Sequence, residues 1–216
     1  MNTHRNKTPG ATAPLGAALV LALAVSAAPG VAQPAADQAS DVVVHAKDLP
    51  ASALSEFRVG KEPGSPGGVL VITPNTGGEL DPPPENDPHV TFKVQVQAGV
   101  PYRFWIHMKV GAPKGKSKAN LVFAQLTDAI DAAGQETLKP RTGSYLNLRG
   151  PAKSGWAWVG HDAAKPNAPL PLVRFKTGGE VTVRLQAGME GVAFDQVVLS
   201  PTRFLEKAPT EAVVAK

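Results

Sequence analysis

The chain has 216 residues, with 22 Lys and Arg against 18 Asp and Glu, and it contains no Cys. The absence of Cys excludes a disulfide framework and a lipid anchor on a cysteine, so the fold must be stabilised by its apolar core. A net charge of +4 without a concentrated basic face is not typical of a nucleic-acid-binding protein. The 21 Gly and 21 Pro indicate many turns rather than long helices.

The first 32 residues have the three parts of an export signal. A basic start precedes an apolar run over residues 17–28, and small residues at 30–32 supply a cleavage site. The run has about 12 residues, whereas a membrane-spanning helix needs ~20. We predict a cleaved signal peptide over 1–32, a flexible leader over 33–40, and a secreted or periplasmic protein with no membrane span after cleavage. An uncleaved N-terminal anchor is the alternative.

Short strand-like segments, separated by Gly and Pro, follow the leader. In residues 90–97, Val and Phe alternate with Thr, Lys and Gln, which is the period of a strand with one wet face. About nine segments have a strand-like character: 42–46, 69–73, 90–97, 102–109, 145–148, 155–159, 172–176, 181–187 and 192–199. Thr177-Gly178-Gly179 predicts a hairpin between its two flanking segments. The pattern favours an all-β antiparallel sandwich or barrel.

One segment fits two interpretations. Residues 119–133 place Val122, Leu126, Ile130 and Ala133 at helical spacing, with good helix formers between them. The same residues can also be read with the period of two that a strand requires. The periodicity leaves helix and strand open.

Several patterns associated with nucleotides, metals or enzymes are incomplete or absent. Residues 111–117 (GAPKGKS) have three residues between their glycines, where a phosphate-binding loop has four, and Pro113 lacks an N–H donor. We interpret them as a basic hairpin loop and expect no nucleotide. The histidines stand alone, so no metal site is predicted. Without a G-x-S-x-G motif or a Cys we expect no enzyme, although scattered acids leave a glycan-active hydrolase or lyase as an alternative.

Aromatic residues give the clearest functional signal. Trp156 and Trp158 would share one face of a strand, and Trp105 lies on the apparent outer face of another. Exposed indoles form an apolar platform for sugar rings, whereas buried indoles are part of the core. Three polar side chains are candidates for hydrogen bonds to sugar hydroxyls: Arg184, Gln186 and His161. The alternative for these three is a solvated strand face or an ordinary loop.

Four stretches resemble galactose-binding-like jelly rolls, the domains grouped with family 6 and family 35 carbohydrate-binding modules. They are residues 54–68, 98–110 (AGVPYRFWIHMKV), 154–160 (SGWAWVG) and 190–209 (EGVAFDQVVLSPTRFLEKAP). The resemblance implies an eight- or nine-stranded sandwich, favours a strand over 119–133, and implies glycan binding at loop ends or on a concave sheet. It also implies a structural calcium, but His45 and Lys47 replace the usual acidic pair and only Asp195 remains. No cofactor is therefore expected.

Together these observations predict a jelly-roll domain over residues 41–208 and a C-terminal tail over 209–216. The predicted function is that of an exported, non-catalytic module for a carbohydrate or polysaccharide. The departures from the family pattern keep a structural or protein-interaction module of the cell envelope, with a cell-surface protein as its partner, as the alternative.

Overall fold

The computed structural model describes residues 39–85, 87–111, 120–162, 165, 167 and 169–213. The predicted signal peptide, nearly all of the leader, the loop after Gly111 and the last three residues lie outside the described residues. The described residues belong to one compact unit. None of the helices among them has the length and hydrophobicity needed to cross a bilayer.

The described residues form twelve strands, paired antiparallel. Their bounds are β1 Val42–His45, β2 Arg58–Lys61, β3 Val69–Ile72, β4 His89–Val96, β5 Tyr102–Val110, β6 Leu121–Leu126, β7 Ala129–Ile130, β8 Leu146–Arg149, β9 Gly155–Val159, β10 Leu172–Phe175, β11 Gly179–Ala187 and β12 Ala193–Ser200. Eight strands form one sheet in the order β2-β3-β12-β5-β10-β7, with β1 also paired to β12 and β9 also paired to β5. Four strands form the second sheet in the order β4-β11-β6-β8. The predicted all-β antiparallel sandwich is confirmed.

One face of each sheet is apolar, and these two faces pack together as the core. In β4, Val90, Phe92, Val94 and Val96 are buried, while Lys93 between them is exposed. The same period of two places alternate residues of β5 and β11 in the core. Large, fully buried side chains from the eight-stranded sheet fill it: Tyr102, Phe104, Phe175 and Phe194. Burial of this apolar area stabilises a chain that has no disulfide.

The segment that the periodicity left open, residues 119–133, forms β6 and the short strand β7. β6 lies between β11 and β8, and all six of its residues are buried. A strand that is buried on both faces shows no hydrophobic alternation. This is why its apolar residues also matched helical spacing. The strand that the family resemblance favoured is confirmed.

The predicted hairpin around Thr177-Gly178-Gly179 is wrong. β10 pairs with β5 and β7 in the larger sheet, whereas β11 lies in the four-stranded sheet. The chain crosses between the sheets at two positions that require glycine. At Gly178 an added Cβ would lie 3.2 Å from the backbone N of Ala98, and Gly179 has a φ of +109°, which other residues rarely adopt. Asp128 fixes the crossing by accepting a 2.7 Å hydrogen bond from the backbone N of Thr177.

A second, smaller apolar cluster lies on the outer face of the eight-stranded sheet, where Trp105 and Val198 pack with Val213. Residues 201–213 run over this face as a C-terminal strap. The Gln196 side chain holds the end of the strap: its Nε2 donates to Val213 O at 2.6 Å, and its Oε1 accepts from Val213 N at 3.0 Å. The first part of the predicted tail is therefore packed on the sheet as far as Val213.

Candidate aromatic binding site

The two predicted indoles lie together on the outer face of the eight-stranded sheet. β9 pairs with β5 so that Trp156 is opposite Lys109 and Trp158 is opposite His107. Both indoles are partly exposed. The imidazole of His107 stacks on both, with ring centroids 4.6 Å from Trp156 and 4.8 Å from Trp158 and interplanar angles of 17° and 30°. We call Trp156, Trp158 and His107 the aromatic surface.

Charged groups border the aromatic surface. The Nδ1 of His107 lies 2.7 Å from Oδ1 of Asp195, whose side chain is 1% exposed. Asp195 occupies an irregularity of β12 between Phe194 and Gln196, where the pairing register with β5 shifts. Lys109 Nζ is ion-paired with Glu62 and lies 5.7 Å from the centroid of the Trp156 ring. The site thus combines apolar ring surface with hydrogen-bonding groups.

Two polar atoms of this region have no partner. Nε1 of Trp158 and Nδ1 of His161, in the loop after β9, are buried without a hydrogen bond in the part of the chain that the structure describes. Buried polar groups are nearly always hydrogen-bonded to protein or to water. An ordered water is the usual partner of such a buried atom. His161 follows Trp158 by three residues, and its contact with a ligand stays a prediction.

Trp105 does not join the aromatic surface. It lies on the outer face of β5, as predicted, but it is only 3% exposed because the C-terminal strap covers it. Its Nε1 donates to the carbonyl of Phe204 at 2.8 Å. Of the two interpretations of this residue, the structure supports burial, and stacking of Trp105 on a ligand is excluded while the strap is in place.

Arg184 and Gln186 lie on the other side of the sandwich, on the outer face of the four-stranded sheet. They are not solvated: Arg184 is 4% exposed and Gln186 is 0% exposed. The loop after β3 covers them, since Gln186 Nε2 donates to Asp81 O at 3.2 Å and contacts Asp87 Oδ2 at 3.4 Å. The interpretation as a wet strand face is therefore wrong, and the core separates both residues from the paired indoles.

Burial also perturbs the charges under that loop. Desolvation lowers the pKa of Arg184, and the nearby Arg141 lowers it further. Desolvation raises the pKa of Asp87, with additional repulsion from Glu85 and Asp81. Burial therefore disfavours both charged forms, and hydrogen bonds from Arg184 and Gln186 to Asp81 and Asp87 hold the loop against the sheet.

Two of the larger cavities among the described residues lie apart from the aromatic surface. A groove of about 390 Å³ beside the four-stranded sheet is lined by Tyr145, Phe123, Asn147 and Arg149, and we call it the tyrosine groove. A cavity of about 590 Å³ lies between β1 and β4 and is lined by apolar side chains such as Phe92 and by an equal number of polar ones. The tyrosine groove also exposes an aromatic ring, so it is the alternative site that a binding experiment must distinguish from the aromatic surface.

The residues present do not match the calcium site that the family resemblance implied. His45 lies 3.1 Å from Gln196 Nε2, and Lys47 is ion-paired with Asp48 at 2.5 Å, in place of the two expected carboxylates. Asp195 Oδ1 is held by His107. Within the described ranges, no three His, Asp or Glu side chains converge as metal ligands.

Two members of the site, His107 and Lys109, were not identified from the sequence as functional, and Asp195 was considered only as a remaining calcium ligand. The period of two in residues 102–109 places His107 and Lys109 on the same face as Trp105. This alternation could not distinguish His107 and Lys109 from residues on an ordinary solvated strand face. No sequence pattern indicated that Asp195 would meet His107, because the contact joins residues of two different strands.

No protein-family model matches the sequence, and no curated protein matches it. Among solved structures, the GH26-CBM35 β-(1,4)-mannanase of Podospora anserina matches at 16% identity and a TM-score of 0.48, over 76% of this chain and 28% of that one. A family 35 carbohydrate-binding module from Clostridium thermocellum matches at 16% identity and a TM-score of 0.41, over 73% and 97%. An exo-β-1,3-galactanase from Phanerochaete chrysosporium matches at 14% identity and a TM-score of 0.43, over 74% and 29%.

The chain thus spans less than a third of the length of the mannanase and the galactanase, and nearly all of the module. A family 35 carbohydrate-binding module is among the matched structures, as the resemblance in sequence predicted. At these TM-scores the matches carry no argument about ligand or activity. The fold and the site define a β-sandwich with a partly exposed aromatic surface on its larger sheet.

Proposed function

We propose that this chain is an exported, non-catalytic module that binds a carbohydrate at its aromatic surface, with a cell-wall or extracellular polysaccharide as its target. The export part rests on the signal-like composition of residues 1–32. The binding part rests on the pair of adjacent, partly exposed indoles, Trp156 and Trp158. That pair is the single observation that carries the proposal.

The chemistry of the site suits a sugar. The C–H faces of a pyranose are apolar and pack on indole rings, while its hydroxyl groups need hydrogen-bonding partners. Lys109 lies beside the Trp156 ring, and its ammonium group offers N–H donors to such hydroxyl groups.

We propose that the module is non-catalytic because the carboxyl groups near the indoles are already paired with other side chains. Hydrolysis of a glycosidic bond needs two carboxyl groups that face the same bond. Two acids near the indoles in the described part of the chain are already paired: Asp195 is buried against His107, and Glu62 is engaged by Lys109. Neither is positioned as a free general acid. We expect no release of reducing sugar from any bound polysaccharide.

Affinity gel electrophoresis tests the proposal, with galactomannan, xylan, β-glucan, arabinogalactan or pectin cast in the gel. Wild type is expected to be retarded by at least one of them. Trp156→Ala and Trp158→Ala are each expected to weaken binding about fivefold or more, since a stacked aromatic contact contributes about 1 kcal/mol. Circular dichroism and thermal unfolding of each variant establish that it is folded.

Tyr145→Ala is the matched control, because it removes a partly exposed aromatic ring from the tyrosine groove on the other sheet. Its retardation is expected to equal that of wild type. If Tyr145→Ala abolished binding while Trp156→Ala and Trp158→Ala left it unchanged, the site would belong to the four-stranded sheet. Unchanged mobility of the wild type in all five gels would contradict carbohydrate binding.

A further inference from the structure

The two ring nitrogens of His107 have different surroundings. Nδ1 lies 2.7 Å from Oδ1 of Asp195, whose side chain is 1% exposed, whereas the His107 side chain is 18% exposed. Nε2 makes no hydrogen bond to the described residues, and it is not one of the buried polar atoms without a partner. Nε2 therefore keeps contact with solvent at the aromatic surface.

The contact with Asp195 determines which ring nitrogen carries the hydrogen. A carboxylate only accepts hydrogen bonds, and a neutral imidazole has one N–H donor and one bare acceptor nitrogen. The hydrogen of His107 is therefore on Nδ1, which donates to Asp195, and Nε2 is the acceptor. Asp195 is thus a positioning residue, since it sets what His107 offers to a ligand while it is itself buried.

An acceptor at this position complements the other groups of the site. The indole N–H groups of Trp156 and Trp158 can only donate, and so can the ammonium group of Lys109. Glu62 has an acceptor carboxylate, but Lys109 already engages it. Nε2 of His107 is thus the ring atom of the aromatic surface that can receive a hydrogen from a sugar hydroxyl group.

The stacking geometry brings this acceptor beside a bound sugar. The imidazole of His107 stacks on both indoles, at centroid distances of 4.6 and 4.8 Å. Nε2 lies in the half of the imidazole that is farther from the backbone, and hence toward the ligand side of the sheet. A pyranose that stacks on an indole carries its hydroxyl groups around the rim of its ring, and the imidazole lies beside that rim.

Building on the proposed function, we infer that the aromatic surface selects polysaccharides whose sugar units keep a free hydroxyl group, which donates a hydrogen bond to Nε2 of His107. A unit that is O-acetylated at that position has no hydrogen to donate and leaves the acceptor unpaired. A site built around a hydroxyl group rejects analogues that lack it more strongly than an apolar pocket rejects a change in size. His107 is therefore the specificity-determining residue, and Asp195 sets its tautomer.

Affinity gel electrophoresis with paired polysaccharides tests the inference. Galactomannan, xylan, β-glucan, arabinogalactan and pectin are each cast in the gel unsubstituted and after chemical O-acetylation. Wild type is expected to bind the unsubstituted form about fivefold or more tightly than the acetylated form. His107→Phe keeps an aromatic ring but removes the acceptor. It is expected to bind the unsubstituted form about fivefold more weakly than wild type and to lose most of the preference.

Asp195→Asn tests the positioning role. Its amide can donate to Nδ1 as well as accept from it, so Nε2 is expected to carry the hydrogen in part of the molecules and the preference is expected to fall. Nitrogen NMR of the imidazole at mildly alkaline pH should show a bare Nε2 in wild type and a partly protonated Nε2 in the variant. Asp128→Asn is the matched control, because it makes the same change at a carboxylate that bonds Thr177 outside the aromatic surface. It should alter neither the preference nor the tautomer.

The outcomes separate the inference from the proposed function. Binding that Trp156→Ala weakens, with the same preference in wild type and His107→Phe, would retain the carbohydrate site and overturn the role of His107. An equal affinity of wild type for both forms, or a hydrogen on Nε2 of wild type, would also overturn it. If His107→Phe does not fold, an unchanged preference in Asp195→Asn despite a changed tautomer has the same force. Binding that is insensitive to Trp156→Ala, or no binding in any gel, would overturn the proposed site and the inference together.

Discussion

Replacing Gln196 by Ala tests how the C-terminal strap is held over Trp105. Gln196 is fully buried, and its amide makes both hydrogen bonds to the backbone of Val213. A hydrogen bond contributes about 1 kcal/mol net, and a buried group left unpaired costs about 1–3 kcal/mol. Loss of both bonds is expected to lower the free energy of unfolding by about 2–4 kcal/mol, or to release the strap so that its backbone groups regain water.

The assay follows Trp105 alone, in a background that carries Trp156→Phe and Trp158→Phe. Because Trp105 is 3% exposed, acrylamide quenching of the parent is expected to be weak. The Gln196→Ala variant should show several-fold stronger quenching, a red-shifted emission maximum or a lower midpoint in urea. Gln95→Ala makes the same chemical change at an exposed position of β4 and is the control. Unchanged quenching together with unchanged urea stability would refute the reasoning.

Three further substitutions test the supporting structure. Asp128→Ala is expected to lower the free energy of unfolding by about 1 kcal/mol at neutral pH. Hydrogen bonds from Thr177 lower the pKa of Asp128 in the folded state, so this stabilisation is present above the unfolded-state pKa and is lost as pH falls through the folded-state pKa. Urea titrations of wild type and variant should therefore give the same stability at low pH. Gly160→Ala would place a Cβ 2.8 Å from two ring carbons of Trp105, and a fall of about 1–3 kcal/mol in stability is expected; an unchanged thermal midpoint would contradict this packing. Gln125→Leu removes the donor that holds three backbone carbonyls of the loop between β7 and β8, and faster amide hydrogen exchange confined to that loop is expected.

The strands were predictable because their pattern is local. In β4, alternate apolar residues alone define which side faces the core. The assignment of strands to sheets was not predictable in the same way, because pairing joins residues far apart in the chain. Thr177-Gly178-Gly179 has the composition of a hairpin, yet it carries the chain from one sheet to the other. β6 was ambiguous for a related reason, since loops from elsewhere bury its second face.

The candidate site shows the same division. A period of two was sufficient to place Trp156 and Trp158 together, and the structure pairs them along β9. The period of two could not predict which residues on the outer faces of the sheets are exposed. Trp105 is covered by a strap that comes almost a hundred residues later in the chain, and Arg184 is covered by a loop about a hundred residues earlier. Exposure depends on these distant segments, which no local pattern reports.

The most direct test of carbohydrate binding at the aromatic surface follows the three indole N–H resonances by NMR while galactomannan, xylan or β-glucan fragments are added. The Nε1–H signals of Trp156 and Trp158 are expected to shift in proportion to saturation. The Trp105 signal should stay in place, because its N–H is bonded to Phe204 beneath the strap. Saturable binding that leaves the signals of Trp156 and Trp158 unmoved would contradict the account.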